Sequence, residues 1–217
     1  LFAPETEELP LKERRSFALV SGTMDRETII AEASRCLYCD EICNICTTVC
    51  PNFANRSYEV NPFKVMLKKA KLQGDGTIEV TDDRLFEVRQ RYQVLNIANY
   101  CNECGNCSTF CPTSGAPYKD KPRLYLTIPA FNTASEGYYF ARLKERVNLI
   151  YKKDNNITTL TELPEGYLYE NDFVSVRFSH QEFTISDVRF KTPCMREARF
   201  ERAARMYIIM QGAKSIC

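Results

Sequence analysis

The sequence predicts an α+β protein, with a cysteine-rich first half, a small β-meander and a C-terminal helix. Three observations support this fold class. Nine of the 11 cysteines stand in two short runs, CLYCDEICNICTTVC at 36–50 and CNECGNCSTFC at 101–111. Residues 147–190 alternate between β-rich segments and turn-forming residues. The last segment of the chain has helical periodicity. We therefore expect four regions, at 1–35, 36–128, 129–190 and 191–217.

The first region (1–35) combines an irregular arm with a helix. Pro4, Pro10 and Gly22 interrupt regular structure in the arm. Asp25 can cap a helix that runs to about Tyr38 and leads into the first cysteine run. Apolar residues recur along it at helical spacing, at Ile29, Ile30, Ala33 and Leu37.

The second region (36–128) holds both cysteine runs and the segment between them. The turn sequence QGDG at 73–76 separates KVMLKKAKL from TIEVT and predicts an inserted hairpin. RYQVLNI, at 91–97, is typical of a strand that leads into the second run. After that run, PYKDKPRLYLT predicts a turn and a short strand.

The last two regions are predicted as a β-meander (129–190) and a helix (191–217). The expected strands are VNLIY, ITTL, YLY, FVSVRF and FTISDVRF. Thr192, Pro193 and Gly212 suit the N-cap, first and C′ positions of the helix. Its apolar face would be Phe200, Ala203, Ala204, Tyr207 and Ile208. The arginines at 196, 199, 202 and 205 would form a solvated basic face, with docking of an acidic partner as the alternative.

The composition of the chain argues against several classes of function. The formal net charge is +1, which argues against binding to nucleic acid or to an anionic membrane. No apolar stretch of about 18 residues predicts a transmembrane helix. The N-terminus shows no secretion signal and does not begin with Met, so we expect a cytoplasmic protein and a piece of a longer chain. An odd number of cysteines in such a setting favours metal binding over disulfides.

The second run has the spacing of a bacterial [4Fe–4S] ferredoxin motif. It reads Cys101-x2-Cys104-x2-Cys107-x3-Cys111-Pro112. Two-residue gaps let three thiolates wrap one small iron–sulfur cube, and the fourth cysteine points away to ligate the other cluster. A pair of such runs thus joins two clusters by exchanging their fourth ligands. The sequence therefore predicts a ferredoxin-like core with two [4Fe–4S] clusters.

The first run offers one cysteine more than this scheme needs. Counting back from Pro51, position 40 should be a ligand but is Asp40, so a one-residue bulge must admit Cys39. The expected ligands are Cys39, Cys43, Cys46 and Cys111 for one cluster, and Cys50, Cys101, Cys104 and Cys107 for the other. Cys36 is then spare.

Zinc is the main alternative, because C-x2-C pairs also bind zinc. Three cysteines at consecutive two-residue gaps crowd a single tetrahedral ion, which favours an iron–sulfur cluster. Cys194 and Cys217 stand apart and are expected to be free thiols. The chain has no G-x-G-x-x-G motif and no P-loop, so we expect no catalytic residue and no nucleotide site within it.

The stretch EASRCLYCDEIC resembles the iron–sulfur region of the glutamate synthase small subunit and of dihydropyrimidine dehydrogenase. A fuller resemblance, over about residues 25–128, is to the C-terminal iron–sulfur region of the selenate reductase flavoprotein family. It rests on the five-cysteine run and on YCNECGNCSTFCPTSGAPYKDKPRLYLT. The R-C-x2-C start of the first pattern matches Cys36 and Cys39, which would leave Cys43 as the extra cysteine instead.

The resemblance implies an electron-transfer module of an NAD(P)H-dependent flavin oxidoreductase. FAD and NAD(P)H would bind other parts of the parent protein. A flavoprotein domain or subunit would be the electron donor, and the acceptor stays unknown. Two other hypotheses remain open at this point. One is a free-standing ferredoxin-type carrier, and the other is a metal-stabilised interaction module without a redox role.

Overall fold

The computed structural model of the chain describes residues 6–35, 43–143, 146–180, 182–192 and 194–216. Cys36, Cys39, Pro193 and Cys217 lie outside the described residues. The chain divides into two compact units, Leu1–Cys43 and Asn44–Cys217.

The first unit contains one helix, α1 (Arg26–Ala33), within its described residues. The Thr28 N–H donates to Asp25 Oδ1 at 2.7 Å, which confirms the predicted N-cap. The helix ends at Ala33, earlier than predicted, and Ser34 follows as its C-cap. Ile29 and Ile30 are exposed, so the apolar stripe lies outside any core that the described residues form.

Twelve strands are present in the described part of the second unit. They are β1 (Asn55–Glu59), β2 (Phe63–Leu72), β3 (Ile78–Val88), β4 (Tyr92–Ile97), β5 (Arg123–Tyr125), β6 (Glu136–Leu143), β7 (Arg146–Lys153), β8 (Asn156–Leu163), β9 (Gly166–Glu170), β10 (Val174–Ser179), β11 (Ile185–Phe190) and β12 (Glu197–Arg199). The helices are α2 (Ile45–Thr48), α3 (Asn106–Thr109), α4 (Pro117–Asp120), α5 (Ile128–Thr133) and α6 (Glu201–Ile216), with a 3-10 turn at Ala98–Tyr100. None of the helices in the described residues has the length and apolar content needed to cross a bilayer.

Nine of the described strands form a single sheet, in the order β1-β4-β5-β6-β7-β8-β9-β10-β11. β5 is parallel to both β4 and β6, and the other neighbours are antiparallel. The predicted strand at 91–97 and the five predicted strands of the meander are all present. The sheet continues across residue 128, so strands from the predicted regions 36–128 and 129–190 belong to the same sheet.

The predicted hairpin is also present, as β2 and β3. Its turn is closed by the Gln73 N–H donating to Thr77 O at 2.9 Å. Gly76 has a φ of 86°, which glycine adopts at little cost. Together with β12, the hairpin forms a second sheet in the order β12-β2-β3.

The C-terminal helix is shorter than the sequence predicted. It begins at Glu201, because Glu197–Arg199 pair with β2 as a strand, with Ala198 opposite Ala70. Thr192 therefore precedes β12 and is not the N-cap. Gly212 lies inside the helix and is not its C′ residue.

Helix α6 is buried around much of its circumference, beyond the single apolar face that was predicted. It contacts β1, β4, β7 and β8 of the large sheet. Buried side chains therefore follow one another along the helix, and they are Ala203, Ala204, Met206, Ile208, Ile209, Met210 and Ala213. Small residues allow close approach: a Cβ added at Gly212 would lie 2.5 Å from Cδ2 of Tyr58.

This contact predicts that Gly212→Ala destabilises the protein, although the same change usually stabilises a helix interior. The buried Tyr58 ring must shift to admit a methyl group, at a cost of about 1–3 kcal/mol of unfolding free energy. Urea unfolding checks the value. Gly74→Ala is the control, because an added Cβ there meets nothing within 4 Å. In a Tyr58→Ala background, Gly212→Ala should cost little; an equal cost there would contradict the explanation.

Candidate metal centre

Strand pairing brings residues 44–50 of the first cysteine run and residues 101–111 of the second to the same end of the large sheet. The first run leads directly into β1, and the second run follows β4 through the turn at Ala98–Tyr100. β1 and β4 are antiparallel, and Asn55, at the start of β1, is opposite Asn96, near the end of β4. The segments 44–50 and 101–111 therefore leave the sheet side by side.

Each run contains a short helix with a buried cysteine at its second position. Cys46 lies on α2 and Cys107 on α3, the two helices contact each other, and each cysteine is 6% exposed. Both belong to one buried cluster with Val94 of β4, flanked by Val49 and Tyr118. Apolar packing on the sheet thus keeps water from these two thiols.

The chain makes the same turn after each helix. The Phe53 N–H donates to Cys50 O at 3.1 Å, and the Ser114 N–H donates to Cys111 O at 3.2 Å. Phe53 and Ser114 are both left-handed, with φ of 53° and 56°. A non-glycine residue rarely adopts this conformation. Its occurrence at the same position of both turns shows that the motif extends beyond the prolines.

The left-handed residue turns the following backbone N–H towards the cysteine sulfur. The Ala54 N–H donates to Cys50 Sγ at 3.2 Å, and the Gly115 N–H donates to Cys111 Sγ at 3.3 Å. Thr113 adds a side-chain contact in the second turn, with its Oγ1 at 3.3 Å from Cys111 Sγ. Donors aimed at sulfur stabilise the thiolate, the form that binds metal.

The pKa values of both thiols are lowered. Burial raises the pKa of Cys50, but hydrogen bonds from the backbone N–H groups of residues 52–55 outweigh this effect. For Cys111, the Thr113 hydroxyl is the largest cause, followed by the backbone N–H groups of Thr113 and Gly115. These surroundings fit a pair of thiolate ligands.

A buried pair of asparagines, Asn55 and Asn96, connects the large sheet to helix α2. The Asn55 Nδ2 donates to Cys46 O at 2.9 Å, and the Asn96 Nδ2 donates to Asn55 Oδ1 at 2.9 Å. The two side chains are only 2% and 0% exposed. The first of these bonds joins β1 to helix α2 at the backbone carbonyl of Cys46, which is a ligand candidate.

The remaining predicted ligands are less enclosed. Cys101 is half-buried and Cys104 is exposed, while Cys43 is exposed at the end of the first unit. Within the described segments, no three Cys, His, Asp or Glu side chains lie close enough together to hold one metal ion. The assignment of ligands to two clusters, and the choice of spare cysteine, remain predictions. Cys194 is free and exposed, outside both runs.

An open cleft of about 1030 Å³ lies within the second unit. Lys119 and Lys121 line one side, and Arg202 and Arg205 of α6 line another. The Arg202 guanidinium lies 4.3 Å from the centre of the Tyr151 ring. Arg202 and Arg205 of the predicted basic face thus face this cleft.

Comparison with known proteins agrees with the cysteine geometry. Residues 32–114 match the family model described as a 4Fe-4S dicluster domain. This match supports the iron–sulfur binding that the cysteine spacing predicted.

A much larger protein contains a region that is similar to part of this chain. The chain is 36% identical over 136 residues to "Putative oxidoreductase YgfK" of Escherichia coli strain K12 and of strain O157:H7. The matched region makes up 62% of this chain but only 11% of the length of those relatives. No solved structure matches the chain. The similarity supports the predicted iron–sulfur oxidoreductase region.

The cysteine spacing indicates the candidate ligands but not the residues that position them. Asn55, Asn96, Thr113 and Gly115 all contact a cysteine run or its supports. A signal was available, since Cys-Pro is followed by three non-charged residues in both runs. The function of this pattern depends on the left-handed backbone at the second of these positions, Phe53 and Ser114, which the residue types Phe and Ser do not suggest.

Asn55→Leu should destabilise the protein by about 1–3 kcal/mol, because Cys46 O and the Asn96 amide would lose buried partners. Urea unfolding of the anaerobically purified chain measures this. Asn106→Leu, at an exposed position of α3, is the matched control. Equal stability of the two variants would contradict a supporting role for the pair.

Thr113→Val should move the alkylation of Cys111 to higher pH in metal-free protein. The thiolate is the reactive form, so a lowered pKa places the rise in rate at lower pH, and removal of the hydroxyl reverses this. Iodoacetamide labelling across pH, followed by peptide mass spectrometry, reports each cysteine. The profile of Cys50 is the internal control, and urea-unfolded protein gives the reference. A shift of both profiles would contradict the assignment.

Proposed function

We propose that this chain is an electron-transfer module that carries two [4Fe–4S] clusters within a larger flavin-dependent oxidoreductase. One observation carries the proposal: helices α2 and α3, which carry Cys46 and Cys107 of the two cysteine runs, contact each other within a segment that matches a dicluster domain. Such clusters, when bound, accept and release single electrons at potentials that the protein tunes.

The proposed ligands are those predicted from the spacing. Cys39, Cys43, Cys46 and Cys111 would hold one cluster, and Cys50, Cys101, Cys104 and Cys107 the other, with Cys36 as the spare cysteine. The contact between α2 and α3 supports this exchange of ligands between runs. The shared apolar cluster around Cys46 and Cys107 would exclude water from the space between the two sites.

The donor in this proposal is a flavoprotein domain or subunit that binds FAD and NAD(P)H. The great length of the relatives supports it, because most of such a protein lies outside the matched region. Phe53 and Phe110, next to the ligand candidates, are 62% and 57% exposed and offer an apolar contact surface. We propose a cytoplasmic location for the whole assembly.

Anaerobically purified protein should contain about eight irons per chain, with matching acid-labile sulfide. Cys46→Ser should lose one cluster, because it removes a buried ligand, whereas Cys36→Ser should keep both. Iron, zinc and sulfide analysis measures these outcomes, and Cys194→Ser is the control for loss of an exposed thiol.

Stoichiometric zinc without sulfide would overturn the proposal and favour a metal-stabilised interaction module. Iron loss in Cys36→Ser would assign Cys36 as a ligand without contradicting the proposed function. In that case Cys43→Ser should be the variant that keeps its iron.

A further inference from the structure

The two Cys-Pro turns differ in one side-chain contact to sulfur. Thr113 Oγ1 lies 3.3 Å from Cys111 Sγ in the second turn. Asn52 occupies the equivalent position after Cys50, in the sequences CPNFA and CPTSG. A metal-bound thiolate has no proton to give, so in that state the Thr113 hydroxyl must be the donor.

The surrounding turn holds this hydroxyl in place. Ser114 N–H bonds to Cys111 O, and Gly115 N–H bonds to Cys111 Sγ, which fixes the backbone on both sides of the threonine relative to the sulfur. Gly115 also leaves room at this point. A Cβ there would lie 3.4 Å from Cys111 Sγ and 3.9 Å from Thr113 Oγ1.

We propose that Thr113 is a positioning residue that raises the reduction potential of the cluster bound through Cys111. The inference rests on the proposed function and deepens it. Asn52 has no hydroxyl to give to Cys50, so the first Cys-Pro turn lacks this side-chain contact to sulfur. Thr113 therefore distinguishes the second Cys-Pro turn from the first, which has the same left-handed backbone.

The direction of the effect follows from charge. Reduction of a cluster adds one electron, breaks no bond and needs no proton, and part of the added negative charge resides on the sulfur ligands. A hydrogen-bond donor at sulfur therefore stabilises the reduced state more than the oxidised state. Hydrogen bonds to the sulfurs are among the factors that set cluster potentials.

The test compares wild type, Thr113→Val, Thr113→Ser and Asn52→Thr. Each full-length chain is purified anaerobically, analysed for iron and sulfide, and titrated with dithionite while electron paramagnetic resonance follows the reduced clusters. Thr113→Val keeps the shape of the side chain but removes the donor. Loss of the donor should lower the equilibrium constant for reduction of one cluster by about fivefold. The potential of that cluster should therefore fall by roughly 40 mV, at 59 mV per tenfold.

Thr113→Ser keeps the hydroxyl and should leave both potentials near wild type. Asn52→Thr places a hydroxyl in the first turn and should raise the other potential, leaving the Thr113-dependent one unchanged. This gain separates a hydrogen-bond effect from a general loss of packing. The result for Asn52→Thr also tests the inference if Thr113→Val loses its iron.

Unchanged potentials in Thr113→Val, or equal shifts of both potentials, would overturn the inference while leaving the two-cluster function intact. No change in Asn52→Thr would overturn it as well. A wild-type chain without iron and sulfide would instead overturn the proposed function, and the inference with it. The metal analysis therefore distinguishes the two failures.

Discussion

The antiparallel pairing of β1 with β4 is the constraint on which the rest of the site depends. It sets Asn55 opposite Asn96, and the two cysteine runs leave the sheet next to this pair. A shift of β1 by one residue against β4 would turn Asn55 to the face opposite Asn96 and break the bond to Cys46 O. The position of helix α2 is therefore coupled to strand register, and through α3 to the second run.

Around this pairing the protein builds the same local structure twice. A short helix buries one cysteine, and a left-handed turn then directs a backbone N–H to the next cysteine's sulfur. Backbone donors keep their geometry whatever side chains surround them, so the repeated part of the site is main chain. The differences between the two turns lie in side chains, as at Asn52 and Thr113. The two cysteine turns therefore have different electrostatic surroundings.

The large sheet and helix α6 pack against each other and support the cysteine segments that leave β1 and β4. The helix is buried on several sides, and Tyr58 of β1 packs against it where Gly212 leaves room. Motion of β1 would disturb both this contact and the asparagine pair. The β-rich region is therefore part of the support for the cysteine runs, because strands β4 to β6 connect them without a break in the sheet.

The sequence by itself determined the chemistry, since the spacing of cysteines and prolines along a few residues restricts which metal groups can bind. It also predicted the hairpin and the meander, whose turns and alternating patterns are local. It misplaced the start of α6, because β12 forms only by pairing with the distant strand β2. Only the tertiary structure decided which residues position the cysteines. The Asn55–Asn96 pair joins residues far apart in the chain, and the left-handed turns are held by surrounding contacts rather than by the preference of Phe53 or Ser114.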